Sequence, residues 1–291
     1  MTLEQLRIFA AVAERLHFTQ AAQALGLTQS AVSAAIAALE AGTGVSLFHR
    51  LGRRVELSAA GTVLLTEARE VLRSARQAEA ALAELSGLTR GHLAVMGSQT
   101  IATYWLPPRL HRFRQAHPGV ELALSIGNTT QVAEAVQAGT VELGFVEGDV
   151  DLPALEARAV DDDRMVLVVG GAHGWAAERA LGREELQRLP WVLREPGSGT
   201  RAACQALLTS RGLSLSDVAV TLELPSNEAV RTAVEAGAGA SVLSMLVVGT
   251  GLRAGTLKAA ACALPGRRFT ALQHRDRRLS SAARAFLSLG R

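Results

Sequence analysis

The hydrophobic pattern of this chain changes near residue 87, and that change constrains the fold more than any other feature. Before it, Leu3, Leu6 and Phe9 begin a series of apolar residues at helical spacing, in a segment without proline. After it, short apolar runs alternate with helical segments, at 93–97, 120–127, 141–148, 165–171, 191–195, 220–225 and 240–244. The sequence therefore predicts a helical N-terminal region followed by an α/β region with a largely parallel sheet.

Length and composition favour two folded domains. The chain has 291 residues, 48% hydrophobic and 20% charged, which is too apolar for a disordered protein. Polar residues interrupt every stretch of about 18 residues, and the first ten, MTLEQLRIFA, lack the order of a signal peptide. We therefore expect a cytoplasmic protein with no membrane span, whose two cysteines, Cys204 and Cys262, are free thiols. The net charge of +3 is too small to indicate nucleic-acid binding by itself.

Residues 18–40, FTQAAQALGLTQSAVSAAIAALE, have the rhythm of a helix-turn-helix. Thr19 can cap a short helix over 20–25, Gly26 permits a left-handed turn, and Thr28 can cap the next helix. Such motifs contact base edges from the exposed start of the second helix. The candidate DNA-binding residues here are Thr19, Thr28, Gln29, Ser30 and Ser33. The alternative is a plain helical hairpin with small polar residues on a solvated face.

A basic segment follows the helical hairpin directly. LFHRLGRRVELS places His49, Arg50, Arg53 and Arg54 within six residues around a glycine. Arginines in such a loop can bind backbone phosphates beside a base-contacting helix. A basic run alone is usually a solvated loop, but its position favours a wing that adds Arg50, Arg53 and Arg54 to the DNA-binding set.

These motifs resemble a known family. AAQALGLTQSAVS, SLFHR and LSAAG are similar to the N-terminal region of LysR-type transcriptional regulators, and the resemblance runs over essentially the whole chain. LPPRLHRFRQAHPGVEL, AGTVELGFVEG and REPGSGTR match the effector region by layout. The resemblance implies a regulator that binds double-stranded DNA. Family members often have proline where Ser30 stands and a basic residue near Ala34 or Ala37, so DNA binding here would depend more on the wing arginines.

The same resemblance implies the domain plan. It is an α+β multidomain chain: a winged helix-turn-helix domain over 1–58, a linker helix over 59–87, and an effector-binding domain over 91–291. The effector domain is similar to a two-lobed periplasmic binding protein. The expected lobes are lobe I over 91–161 and 265–291, and lobe II over 162–264.

The linker helix carries a broad apolar stripe. Ser58 is a possible N-cap, and the stripe comprises Leu64, Leu65, Ala68, Val71, Leu72, Ala75, Ala78, Leu82 and Leu85. A helix with such an apolar stripe needs another surface that covers the stripe. The resemblance implies pairing with the same helix of a second chain, giving a homodimer and a dimer of dimers. The alternative is a helix packed on its own domain.

Polar clusters occur where predicted strands of the α/β region pass into helices. Helix N-termini at such junctions favour anions, and ligands of open α/β sheets sit at the carboxyl ends of strands. The clusters are 98–100, 128–130, 198–201 and 226–227, and Arg201 is their only full cation. Any single Ser-Thr pair is more simply an N-cap, but four facing one cleft predict a small anionic effector. The resemblance is greatest to regulators of carbon fixation and sulfur assimilation, whose effectors are small anions or phosphorylated metabolites. The candidate effector-binding residues are Ser98, Thr100, Asn128, Thr129, Thr200, Arg201 and Asn227.

Catalytic, cofactor and metal sites are not expected. The GSG at 197–199 fails the nucleophile-elbow pattern because Pro196 replaces its first glycine, and GAGAS at 237–241 lacks the third glycine of a dinucleotide fingerprint. Consecutive carboxylates at 161–163 are expected to be solvated in a connecting segment, and the histidines are scattered. Cys204 is either a redox sensor near a helix start or a buried structural thiol. The remaining functional alternative is a small-molecule binding protein of the periplasmic type with no DNA-binding role.

Overall fold

The computed structural model describes residues 1–51, 54–84, 91–148, 150–174 and 181–289. The chain divides into two compact units, the first made chiefly of residues 1–87 and the second of residues 88–137 and 141–291. Within the described residues, no single helix is both long and apolar enough to cross a membrane; two short helices of the first unit pass that test together only as a pair bent by 107°.

The first unit consists of helices and one hairpin. Its elements are α1 Leu3–Arg15, α2 Phe18–Leu25, α3 Gln29–Thr43, β1 Phe48–Leu51, β2 Arg54–Leu57 and α4 Ala59–Glu84. Gly26 ends α2 in the left-handed conformation at φ 67°, and Thr28 caps α3, as the sequence predicts. The prediction for Thr19 is wrong. His17 caps α2 instead, since Gln20 N donates to its Nδ1 at 3.4 Å, and Thr19 is an exposed residue inside the helix.

The core of the first unit joins its helices to the hairpin. Phe48 of β1 packs against Phe9 of α1 and Phe18 of α2, with ring centroids 5.5 and 5.8 Å apart. Val32 and Ile36 bury one face of α3 against the same core. The opposite face of α3 is therefore left to solvent, which positions the start of that helix for binding.

The second unit contains one five-stranded sheet, which we call lobe I together with its helices. Its strands and helices are β3 Gly91–Ser98, α5 Leu106–Ala116, β4 Val120–Gly127, α6 Thr129–Ala138, β5 Leu143–Glu147, β6 Leu155–Asp163, β12 Arg267–His274 and α11 Ser281–Ser288. The strand order in the sheet is β4-β3-β5-β12-β6. A π-helical turn over Ile101–Trp105 precedes α5.

Two smaller sheets form lobe II. β7 Met165–Gly170 lies between β10 Ser241–Ser244 and β11 Leu257–Ala259 and is antiparallel to both, while β8 Pro190–Arg194 pairs in parallel with β9 Ala219–Leu224. The helices are α7 Arg183–Arg188, α8 Gly199–Ser210, α9 Asn227–Glu235 and α10 Met245–Ala254, with a 3₁₀ turn at Leu215–Asp217.

The prediction of a largely parallel sheet holds only in part. β4, β3 and β5 are parallel, but β12 returns antiparallel to β5 and β6. Pairing with β12 satisfies the backbone hydrogen-bonding groups of β6, whose middle residues are mostly exposed.

The expectation for residues 161–163 is also wrong, because these carboxylates lie in strand β6 and two of them are bound. Asp161 accepts hydrogen bonds from Trp105 Nε1 at 2.8 Å and from Arg109 Nη2 at 3.2 Å. Asp163 is buried and pairs with Arg267, whose Nε donates to its Oδ2 at 2.8 Å. Asp163 is paired because strand β12, which lies more than 100 residues later in the chain, brings Arg267 opposite it in the register.

Candidate functional site

The start of α3 presents the polar surface that the sequence predicts. Gln29 and Ser30 are exposed and Ser33 is half-buried. Thr28 Oγ1 accepts from Ala31 N at 3.2 Å and lies 3.0 Å from Ser30 Oγ. Thr28 is therefore held as a cap with Ser30 beside it, and Gln29 is the exposed polar side chain between them in the sequence.

The hairpin after α3 is fixed to that helix by one carboxylate. Glu40 Oε1 accepts from Leu47 N at 2.7 Å and from Phe48 N at 3.3 Å. Arg54 starts β2 and is exposed, opposite Leu51 in the hairpin register. Arg53 and the side chain of Arg50 lie outside the described residues. Glu40 thus sets the position of the basic hairpin relative to the polar start of α3.

A second junction joins the hairpin to α4. Ser58 is buried; its hydroxyl donates to Ser46 O at 2.7 Å and accepts from Gly61 N at 2.9 Å, which confirms Ser58 as the N-cap. A Cβ at Gly61 would lie only 2.2 Å from Leu47 O. The LSAAG motif therefore has a physical reason: the cap and the glycine allow α4 to start against the hairpin.

The first half of α4 packs on its own unit. Leu64, Leu65 and Leu72 are partly buried against the core and Ala68 is fully buried. Arg69 Nη2 binds Glu14 Oε1 of α1 at 3.1 Å. Val71 differs from these packed side chains because it is 43% exposed. Leu85 lies outside the described residues, as does the side chain of Leu82.

The four polar clusters of the second unit meet in two pairs across the lobes. Asn227 of lobe II donates through Nδ2 to Thr100 Oγ1 of lobe I at 3.0 Å, and both residues are buried. Asn128 Nδ2 of lobe I donates to Pro196 O at 3.4 Å. Ser98 is buried and donates to Phe145 O at 3.3 Å. Much of the hydrogen-bonding capacity of these clusters is therefore already used within the protein.

Arg194, which is not among the predicted effector-binding residues, connects the lobes. It is 2% exposed, and its Nη1 donates to Asn227 Oδ1 at 2.7 Å and to Gln99 Oε1 at 3.3 Å. Its Nε and Nη2 bind Glu195 at 2.7 Å each. Burial alone would raise the pKa of the Glu195 carboxyl, but the hydrogen bonds from Arg194 lower it below its usual value.

Tyr104 and Glu228 make another contact between the lobes. The tyrosine hydroxyl, on the π-helical turn, donates to Glu228 Oε1 at the start of α9. Burial and the neighbouring carboxylate raise the pKa of Tyr104 to about 12. The tyrosine is therefore neutral at physiological pH and keeps its proton for this bond.

A cleft of about 620 Å³ opens beside these contacts. Its lining comes from both lobes and includes Glu147 of β5 from lobe I and Gly199 of α8 from lobe II. Of the seven predicted effector residues, Thr129 and Arg201 line it. Ser98, Thr100, Asn128, Thr200 and Asn227 do not. Helices α6 and α8 both begin at this cleft, which gives it two helix N-termini.

The cations of the cleft are already paired. Arg201 Nη1 donates to Glu223 Oε2 and to Arg194 O, both at 2.6 Å. Arg267 also lines the cleft, which therefore has a second arginine beside Arg201, the only cation of the four predicted clusters. Arg267 binds Asp163 and donates to Thr200 Oγ1 at 3.4 Å. No local signal could have selected Arg267 from the sequence, because its partners lie 67 and 104 residues away.

Comparisons with known proteins decide the family. Residues 3–62 match the model of the "Bacterial regulatory helix-turn-helix protein, lysR family", and residues 86–291 match the "LysR substrate binding domain". The chain belongs to the LysR family. It is a LysR-type transcriptional regulator with a winged helix-turn-helix DNA-binding domain and a two-lobed effector-binding domain.

Curated relatives of this LysR-type regulator are themselves regulators. It is 37% identical over 289 residues to the "Uncharacterized HTH-type transcriptional regulator YeiE" of Escherichia coli strain K12, covering 99% of this chain and 96% of YeiE. It is 34% identical over 288 residues to the "RuBisCO operon transcriptional regulator" of Allochromatium vinosum, covering 98% of this chain and 94% of that protein. The alternative of a periplasmic-type binding protein without a DNA-binding role is therefore wrong.

Solved structures agree with the fold. CbnR in complex with its target DNA has a TM-score of 0.69 at 23% identity, covering 99% of this chain and 98% of CbnR. The regulatory domain of CcmR from Synechocystis PCC6803 in complex with 2-PG has a TM-score of 0.61 at 28% identity, covering 68% of this chain and 94% of that domain.

Proposed function

We propose that this LysR-type regulator binds double-stranded DNA through the start of α3 and the basic hairpin, and that a small anion in the interlobe cleft modulates that binding. The observation that carries the effector part is the cleft of about 620 Å³, with walls from both lobes and two helix N-termini. A ligand that contacts both walls favours one arrangement of the lobes.

The exposure of Gln29, Ser30 and Arg54 supports the DNA-binding part of the proposal. Arginines that contact phosphates add affinity without sequence preference, whereas side chains at base edges add preference. Glu40 holds the two groups in one geometry, as binding along a single groove requires.

Gel-shift titrations test this division of roles. Arg54→Ala is expected to weaken binding to operator and random duplex alike and to reduce the salt slope by about one. Gln29→Ala is expected to reduce the preference for the operator over random DNA by roughly 1–3 kcal/mol. Arg188→Ala, an exposed arginine of α7 in the second unit, serves as the control. Unchanged operator and random-duplex affinities in Arg54→Ala would remove Arg54 from the DNA interface.

Thr129, Arg201 and Arg267 support an anionic effector. Thr129 Oγ1 is buried and has no hydrogen-bond partner among the described residues. The two arginines are engaged by carboxylates, so an anion would draw donors from existing pairs or use the helix N-termini. A small molecule also fits what is known of a similar domain, since CcmR was solved with 2-PG.

Calorimetry tests the effector site with sulfate, phosphate, nitrate and small carboxylates. Thr129→Val keeps the side-chain shape and removes the hydroxyl, and it is expected to lower the affinity for the bound anion about tenfold. Thr209→Val, at an exposed position near the other end of α8, is the matched control. An effector that is uncharged and apolar, or full anion affinity in Thr129→Val, would contradict the proposal.

We further propose that α4 pairs with the same helix of a second chain and that dimers associate into tetramers. Val63 and Val71 support this, because they are aliphatic side chains on α4 that are 66% and 43% exposed. A dimer would place two α3 helices on one pseudo-palindromic DNA site.

A further inference from the structure

Glu147 is a buried carboxylate in the wall of the cleft. It ends strand β5 and is 3% exposed, and its Oε1 accepts from Thr100 N at 3.0 Å. Among the described residues, no arginine, lysine or histidine forms an ion pair with it, unlike Asp163 and Glu195 nearby. A buried carboxylate without a cation is costly, so its place in a ligand cleft calls for a functional reason.

Three residues meet at this point of the cleft. A Cβ added to Gly199 would lie 2.8 Å from Glu147 O, 3.2 Å from Glu147 Cβ and 2.9 Å from Thr129 Oγ1. The N-terminus of α8 therefore lies directly against the end of β5. The carboxylate itself accepts from Thr100 N, just before the π-helical turn, and a backbone amide supplies no mobile proton to its second oxygen.

We propose that Glu147 makes the cleft selective for anions that still carry a hydrogen-bond donor, such as hydrogen phosphate or a hydroxy acid. This inference rests on the proposed function and specifies the ligand class of the same cleft. A carboxylate only accepts hydrogen bonds, and so does a fully ionised anion such as sulfate. Sulfate beside Glu147 would place lone pairs against lone pairs, whereas the P–O–H group of hydrogen phosphate can donate a hydrogen bond to the carboxylate.

The rest of the wall suits such a mixed ligand. Thr129 Oγ1 can donate to an anion oxygen, and the N-termini of α6 and α8 supply positive charge. Acceptor and donor groups thus face the same space. Rejection of a ligand that lacks a needed donor is efficient, because the buried acceptor would remain unpaired.

A purely structural role for Glu147 is the competing explanation. Its bond to Thr100 N fixes the turn that leads into the π-helical segment, and that role would affect stability alone. Selectivity between two anions separates the explanations, because a structural carboxylate would change the affinity for both by the same factor.

The experiment is calorimetric titration of the full-length protein with inorganic phosphate and with sulfate, at pH 7 and matched ionic strength. The parent protein is expected to bind phosphate at least about tenfold more tightly than sulfate. Glu147→Gln keeps an oxygen for Thr100 N and gains an amide donor, and it is expected to shift the preference toward sulfate by at least about tenfold. Glu156→Gln, an exposed carboxylate on β6, is the matched control and should keep the parental ratio.

Three outcomes would be informative in different ways. Equal affinity of the parent for both anions, with the same ratio in Glu147→Gln, overturns the role of Glu147 and leaves the anion site standing. If the parent binds neither anion at millimolar concentration, nor any other anion of the panel, the anionic effector is wrong and this inference falls with it. If Glu147→Gln fails to fold, the parental ratio and Glu147→Asp, which keeps the acceptor and should keep the phosphate preference, still decide.

Discussion

Cys204 is the residue for which the structure chooses between two alternatives. It lies on α8, is 1% exposed and accepts from Val242 N at 3.4 Å. Burial raises the pKa of its thiol to about 11, so the neutral thiol dominates below that pH and the reactive thiolate is rare at pH 8. We expect folded Cys262→Ala to react only slowly with a thiol reagent at pH 8 and to react fully once unfolded. Cys204→Ala, which keeps the partly exposed Cys262, is the control. Fast labelling of folded Cys262→Ala would restore the redox-sensor alternative.

Single residues could be predicted from the sequence where their partners are local. Thr28 and Ser58 cap helices that begin at the next residue, so the pattern of polar residue and helix was sufficient. Glu147 and Arg267 were missed because their partners lie 47 or more residues away. Thr19 failed for a different reason. The helix begins two residues earlier than expected, and an imidazole nitrogen of His17 takes the capping position.

At the level of elements, the contact between α4 and the hairpin depends on one glycine. Gly61→Ala would place a Cβ 2.2 Å from Leu47 O, so either α4 or β1 must shift. We expect the first unit to lose roughly 1–3 kcal/mol of stability. Gly42→Ala is the matched control, because Gly42 lies in α3 with open space around it and should gain up to about 1 kcal/mol in helix propensity. Thermal unfolding followed by circular dichroism measures both; equal melting temperatures would show that the junction is not tight.

Strands were predictable where a short apolar run marks them in the sequence. β4 has the bounds that the sequence indicated, Val120–Gly127. β6, which pairs with β12, was not predicted as a strand, because LEARAVDDD is rich in charged residues. Their pairing extends over eight residues of β12, and only this long-range register makes β6 a strand.

At the scale of the whole molecule, the sequence predicted the change from a helical unit to an α/β unit but not the hydrogen bonds between the lobes. Four polar clusters at strand ends were expected to face a ligand together. Two of them instead meet each other through Thr100 and Asn227, with Arg194 behind them. Polar residues at strand ends serve binding and lobe-to-lobe contact equally well, and local pattern does not distinguish the two uses.

Pairing of α4 with a second chain can be tested by placing a charge on its exposed apolar face. Leu72 is partly buried against its own unit, so a charge there would destabilise the first unit whatever its role in a dimer. Val71 is 43% exposed, and Val71→Glu is expected to leave the fold intact while burying an unpaired charge in the proposed helix pair. Light scattering should then report a mass below that of the parent. Thr62→Glu, exposed on the side of α4 opposite Val71, should keep the parental mass. A parental mass for Val71→Glu, with an unchanged melting temperature, would place the dimer contact away from this face of α4.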